Sequence, residues 1–97
     1  MKVKDFENFI STKSKLPVDK GPYSFIGLAG EVGEIMEWYK KTNLRTTPTT
    51  LTEEDLLQEL GDVLHYVTRI GLAYGWGLKH IMKANKSKLD KRYGHKY

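Results

Sequence analysis

Two stretches of the chain, LAGEVGEIMEWY at 28–39 and LLQELGDVLHYV at 56–67, align without a gap at a shift of 28 residues. Leu28 meets Leu56, Glu31 meets Glu59, Val32 meets Leu60, Gly33 meets Gly61, Glu34 meets Asp62 and Ile35 meets Val63. Both stretches have helical periodicity. At roughly 100° per residue, Leu28, Val32, Ile35 and Tyr39 fill one arc, with Glu31 and Glu34 at its border about 60° apart. Leu56, Leu60, Val63 and Val67 repeat the arc, and Glu59 and Asp62 repeat the border. The chain therefore presents the same half-apolar, half-acidic helix face twice.

If the two helices pack side by side, four carboxylates converge at a packed edge. Burial and mutual repulsion both penalise their ionised forms, and a shared divalent cation removes the conflict. A single acidic pair at i, i+3 is an ordinary solvated helix face. Two equivalent pairs, each beside an equivalent apolar arc, favour the cation. Gly30 and Gly33, with Gly61 opposite, each cost roughly 1 kcal/mol against alanine inside a helix. Their place in the pattern is explained if a partner helix or a substrate approaches the backbone there.

The rest of the chain reads as helix too. Residues 3–13 place Phe6, Phe9 and Ile10 on one side, and KLPVDKGPYS is a loop in which Ser24 is positioned to cap a helix running to about Thr42. NLRTTPTTL is a connection. Thr52 with Asp55 three residues on forms a capping box, with acids in the first turn, for a helix reaching about Tyr74. GWG at 75–77 breaks it, and a fourth helix covers about Leu78 to Arg92. No stretch alternates as a strand does. The fold class is all-α, a small helical bundle in one domain over residues 1–97. With only 97 residues the core is modest, so the four-helix core is expected to be completed by oligomerisation, a partner subunit covering the apolar face.

Composition excludes several classes. There are no cysteines, hence no disulfide, thiolate metal site or cysteine nucleophile. No run of about 18 apolar residues offers a membrane span, and the first residues lack a signal peptide's apolar stretch, so a cytoplasmic protein is expected. The net charge of +4 conceals an asymmetry: residues 79–97 carry seven Lys/Arg against Asp90 alone. A basic end beside an acidic middle suits a polyanion that arrives with metal ions.

An all-carboxylate set points to a hard ion, Mg²⁺ or Mn²⁺, which keeps open positions for substrate phosphates. His65, three residues after Asp62, has the spacing of di-iron bundle ligands, but its counterpart in the repeat is Glu37 and it points away from Glu59 on the helical wheel. On the fourth helix Asn85, Lys88 and Arg92 form one stripe bordering Leu78, Ile81 and Leu89, placed to reach phosphates. Trp38 is an aromatic at a helix border, suited to packing or to stacking on a base.

The segments GEVGEIMEW, QELGDVLHYV and KSKLDKRY resemble the MazG-like nucleotide pyrophosphohydrolases of the all-α NTP pyrophosphatase superfamily, whose signature is Glu-x-x-Glu followed by Glu-x-x-Asp. The resemblance covers about residues 23–95. It implies that Glu31, Glu34, Glu59 and Asp62 bind Mg²⁺, and that Lys88 and Arg92, with Asn85 a looser match, hold the phosphate chain. It further implies cleavage of a (deoxy)nucleoside triphosphate to the monophosphate and pyrophosphate by a homodimer or homotetramer. Glu34 is the first choice for taking the proton of the attacking water, Glu31 the next, and Glu37 an outer participant. Two rivals stand beside this reading: a nucleic-acid-binding module that uses the basic tail, and a non-catalytic nucleotide sensor.

Overall fold

The structure, a computed structural model, describes residues 1–13 and 15–94; Ser14 and residues 95–97, which include the His95 and Lys96 of the basic tail, lie outside the described residues. The class is all-α. Four helices, α1 (Val3–Lys13), α2 (Pro22–Tyr39), α3 (Glu53–Ala73) and α4 (Leu78–Tyr93), follow one another, and a π-helical turn (Lys40–Leu44) extends α2. Among the described residues there is no strand, and no helix is long and apolar enough to cross a membrane.

The chain divides into two compact units, one formed by Met1–Asp19 with Thr68–Tyr97 and the other by Lys20–Val67. In the first, Ile10 is the one hydrophobic side chain fully buried among the described residues, and polar contacts supply much of the order. Arg69 is 1% exposed and its Nη2 donates to the carbonyls of Leu16 (3.4 Å) and Pro17 (2.9 Å), so a buried guanidinium ties α3 to the loop after α1. Glu7 accepts from the Leu78 N–H at 2.7 Å. That carboxylate on α1 caps α4, whose own N-cap residue, Gly77, offers no side chain.

α3 ends in a Schellman turn. Trp76 N–H donates to the Gly71 carbonyl (2.8 Å), Gly75 N–H donates to the Leu72 carbonyl (3.0 Å), and Gly75 sits at φ +81°. That left-handed position is open to glycine without a Cβ penalty, which is why GWG breaks the helix where it does.

In the second unit α2 starts earlier than its serine implies. Gly21 is the N-cap and Pro22 occupies the first turn, where a missing N–H costs nothing. Ser24 lies inside the helix, buried at 2% exposure, and does not cap it. At the other end the π turn is stabilised by side chains: Thr42 Oγ1 donates to the Trp38 carbonyl (2.8 Å) and Asn43 Nδ2 to the Tyr39 carbonyl (3.3 Å). α3 opens with the capping box read from the sequence. Thr52 N–H donates to Asp55 Oδ2 (2.8 Å), and Asp55 N–H points back to Thr52 Oγ1 (3.4 Å).

Three contacts bring α2 against the first part of α3. The Trp38 indole Nε1–H donates to the Thr52 carbonyl at 2.8 Å. The Tyr23 and Tyr66 hydroxyls lie 3.3 Å apart, with their ring centroids at 6.0 Å. Gly27 lies under the Tyr66 ring so closely that a Cβ there would collide with its aromatic carbons. A β-carbon at Gly30, Gly33 or Gly61 would meet nothing within 4 Å, so these three leave open backbone rather than a packed contact within the chain.

Candidate metal centre

The close approach of α2 to α3 at Gly27–Tyr66 and Trp38–Thr52 brackets the acidic positions of both helices. Glu31, Glu59 and Asp62 each offer a carboxylate oxygen, and these oxygens all lie within 4.8 Å of one another. Glu31 and Glu59 are half-buried and Asp62 is exposed, so the group joins one carboxylate of α2 to two of α3 and remains accessible to solvent through Asp62. Glu34 is not part of this group. It stands beside it, exposed, close enough for its charge to act on Glu31. Of the four carboxylates expected together, three converge and the fourth flanks them.

The electrostatics express the crowding. The Glu31 carboxyl is pushed above its ordinary value, first by burial, then by the negative charges of Asp62, Glu59 and Glu34, and last by a hydrogen bond with Glu59. Glu59 Oε2 is buried and has no hydrogen-bond partner. A buried acceptor without a donor costs about 1–3 kcal/mol, more when charged. The group therefore lacks positive charge, and either a proton or a cation supplies it. Three carboxylate oxygens with a solvent-facing side match the donor chemistry of Mg²⁺, which takes oxygen ligands and retains open positions.

Next to the group is a pocket of about 130 Å³. Glu34, Glu37, Trp38 and Lys41 line it from α2 and the π turn, and Leu51, Asp55 and Glu59 line it from the other side. Glu59 thus belongs both to the carboxylate group and to the pocket wall. Trp38 is fixed there by its bond to Thr52, which commits the indole N–H to the fold and leaves only ring surface for a ligand. Glu37 pairs with Lys41 (3.6 Å) and Lys40 (3.9 Å). His65 is half-buried on α3, its ring edge-on to Tyr66 at 5.3 Å, and is not among the converging ligands.

The basic candidates lie in the other unit, on α4. Lys88 and Arg92 share a shallow groove with Lys91, Ala84 and Ser87, while Asn85 is exposed outside that lining. Lys91, set further round on the helical wheel, joins the stripe. The Arg92 guanidinium lies 5.9 Å over the Tyr93 ring, and Lys86 is held by Asp90 at 2.6 Å.

Sequence reasoning missed Lys41, Leu51 and Asp55 as pocket walls. The spacing of Glu34, Glu37 and Lys41 at i, i+3 and i+7 was the available signal, since it puts all three on one helix face.

No protein-family model matches the chain, and no solved structure matches it. It is 28% identical over 83 residues to uncharacterized protein YvdC of Bacillus subtilis (strain 168), a match covering 77% of this chain and 78% of that protein. It is 38% identical over 73 residues to the Gene 37 protein of Mycobacterium phage L5, covering 72% of this chain and 63% of the phage protein's length. Neither name states a substrate or an activity.

Proposed function

We propose that the chain is an Mg²⁺-dependent nucleoside triphosphate pyrophosphohydrolase of the MazG-like type, cleaving a (deoxy)nucleoside triphosphate to the monophosphate and pyrophosphate. The observation that carries this reading is the convergence of Glu31, Glu59 and Asp62 around an unmet need for positive charge. Those three residues are the proposed ligands of the ion. When bound, it would offset the charge of the phosphate oxygens and acidify a water for attack on phosphorus.

The chain's own groups take the remaining roles. Glu34, next to the ligand group but outside it, is the carboxylate left to accept the water's proton, with Glu31 the alternative. The Trp38 ring face offers a surface for the base. Lys88 and Arg92 carry the phosphate-binding role that the resemblance implies, as point charge and planar fork respectively. A homodimer or homotetramer is part of the proposal. Val32 and Met36 on α2 and Leu57, Leu60 and Leu64 on α3 are all exposed, and one fully buried apolar side chain among the described residues is little core for a chain of this length.

The test is pyrophosphate release from a panel of standard and modified nucleoside triphosphates, with and without Mg²⁺, for wild type and Glu59→Gln. Release that requires Mg²⁺ and is lost in the variant is the expected result. Triphosphate binding with Mg²⁺ but no release would establish the sensor reading instead. Metal-independent, salt-sensitive binding of DNA or RNA, untouched by Glu59→Gln, would establish the nucleic-acid reading that the basic α4 favours.

A further inference from the structure

The pocket beside the carboxylate group contains one cation that the function above does not use. Its lining carries four carboxylates, Glu34, Glu37, Asp55 and Glu59, and a single basic side chain, Lys41. Asp55 is committed to the capping box, where its Oδ2 receives the Thr52 N–H and hydroxyl. Glu37 is engaged with Lys41 and Lys40. A lining of this net charge repels a polyanion unless positive charge is supplied at the pocket itself.

We propose that Lys41 is a phosphate-binding residue of this pocket, held by Glu37 in the free protein and transferred to a substrate phosphate when one enters. This assignment rests on the pyrophosphohydrolase reading and deepens it by naming a residue that contacts the phosphate chain within the same unit as the carboxylates. Three observations support it. The Lys41–Glu37 separation of 3.6 Å is longer than a tight charge-assisted hydrogen bond, and the pair is partly solvent-exposed, so the ammonium is weakly held and free to change partner. Trp38 and Leu51 form apolar walls beside it, and low polarity around a charge strengthens what it does bind. Lys41 is the second residue of the π turn Lys40–Leu44 at the end of α2, and π turns are frequent at functional sites.

Lys40 provides an internal control. It is paired to the same Glu37 at 3.9 Å, carries the same charge and is more exposed at 65%, but it does not line the pocket. The experiment is calorimetric titration of wild type, Lys41→Gln, Lys41→Arg and Lys40→Gln with Mg²⁺ and α,β-methylene nucleoside triphosphates. Inorganic tripolyphosphate and the nucleoside monophosphates serve as separate arms, and a thermal melt of each variant checks folding.

Loss of one charged contact predicts that Lys41→Gln weakens triphosphate binding about tenfold. Lys40→Gln is expected to stay within about twofold of wild type and Lys41→Arg to retain most of the affinity. Tripolyphosphate should follow the same order if the phosphate chain is what Lys41 holds, and the monophosphates should change least. In turnover, KM should rise for Lys41→Gln with kcat little altered.

Equal affinities for Lys41→Gln, Lys40→Gln and wild type, or equal losses in both glutamine variants, would overturn the assignment while leaving the hydrolase reading intact. A wild-type protein that binds no triphosphate with Mg²⁺ would remove both.

Discussion

Charged side chains are drawn out of solvent in both units of this chain, and they end in opposite conditions. In the first unit Arg69 is wholly buried and gives its hydrogen bonds to two loop carbonyls, while Glu7 takes the first amide of α4. In the second, Glu31 and Glu59 are half-buried beside Asp62, with one carboxyl raised and one oxygen unpaired. Satisfied buried charge serves the fold, whereas unsatisfied charge of one sign has a structural rationale only if something outside the chain completes it. The same residue chemistry thus separates the part that holds the helices from the part available to a ligand.

The comparison can be broken most forcefully at Arg69. Arg69→Met leaves the Leu16 and Pro17 carbonyls without their donor, and a loss of about 3 kcal/mol is expected. Urea denaturation should register it equally with and without Mg²⁺; a loss that Mg²⁺ restores would mean that the two kinds of charge are not distinct. Glu59→Gln should act the other way. Pyrophosphate release should fall about 100-fold or more, roughly 2.7 kcal/mol of transition-state stabilisation, while the melting temperature without metal stays the same or rises because like charges have been relieved.

Gly27→Ala is next in size. Its methyl would strike the Tyr66 ring, and overpacking of this kind costs about 1–3 kcal/mol. Circular-dichroism melts would measure it, and an unperturbed melt would mean that Tyr66 moves aside freely. The smallest effect is pH dependence. Because Glu31's carboxyl is held above its ordinary value of 4.5, the folded chain binds more protons than the unfolded chain between that value and the raised one. Metal-free stability should therefore fall as pH rises through this window. Saturating Mg²⁺, which competes with the proton, should flatten or reverse the slope, and a metal-free protein that gains stability across the window would contradict the crowding.

What was legible in the sequence was local. The bounds of α1, the Thr52–Asp55 box and the break at Gly75 depend on neighbours a few residues apart, and the sequence displays those directly. The start of α2 is set by the Gly21–Pro22 pair and not by Ser24, because a proline in the first turn opens a helix as readily as a serine cap does. Glu7 capping a residue 71 positions away, Arg69 reaching back over 52, and Gly27 beneath Tyr66 depend on which helices meet, and no local pattern encodes that.

For the candidate centre, the repeat pointed to the two helix edges that carry the acidic group. Glu31, Glu59 and Asp62 offer oxygens within 4.8 Å of one another, and Glu34 stands beside them, its charge acting on Glu31. Residues three apart on one helix are separated by about 4.5 Å along its axis, comparable to the whole spread of the oxygen cluster, so how each carboxylate is placed depends on the crossing of the two helices, which no single helix pattern displays.

The tie between the Trp38 indole and the Thr52 carbonyl also makes the pocket optically readable. The chain has two tryptophans, and the second, Trp76, is partly exposed and stacks on Tyr74 at 5.2 Å within the other unit. With Trp76 replaced by phenylalanine, tryptophan emission, selected by exciting beyond the tyrosine absorption, would come from a single indole anchored in the pocket wall, and a ligand settling against it would register as quenching or a wavelength shift without any added label.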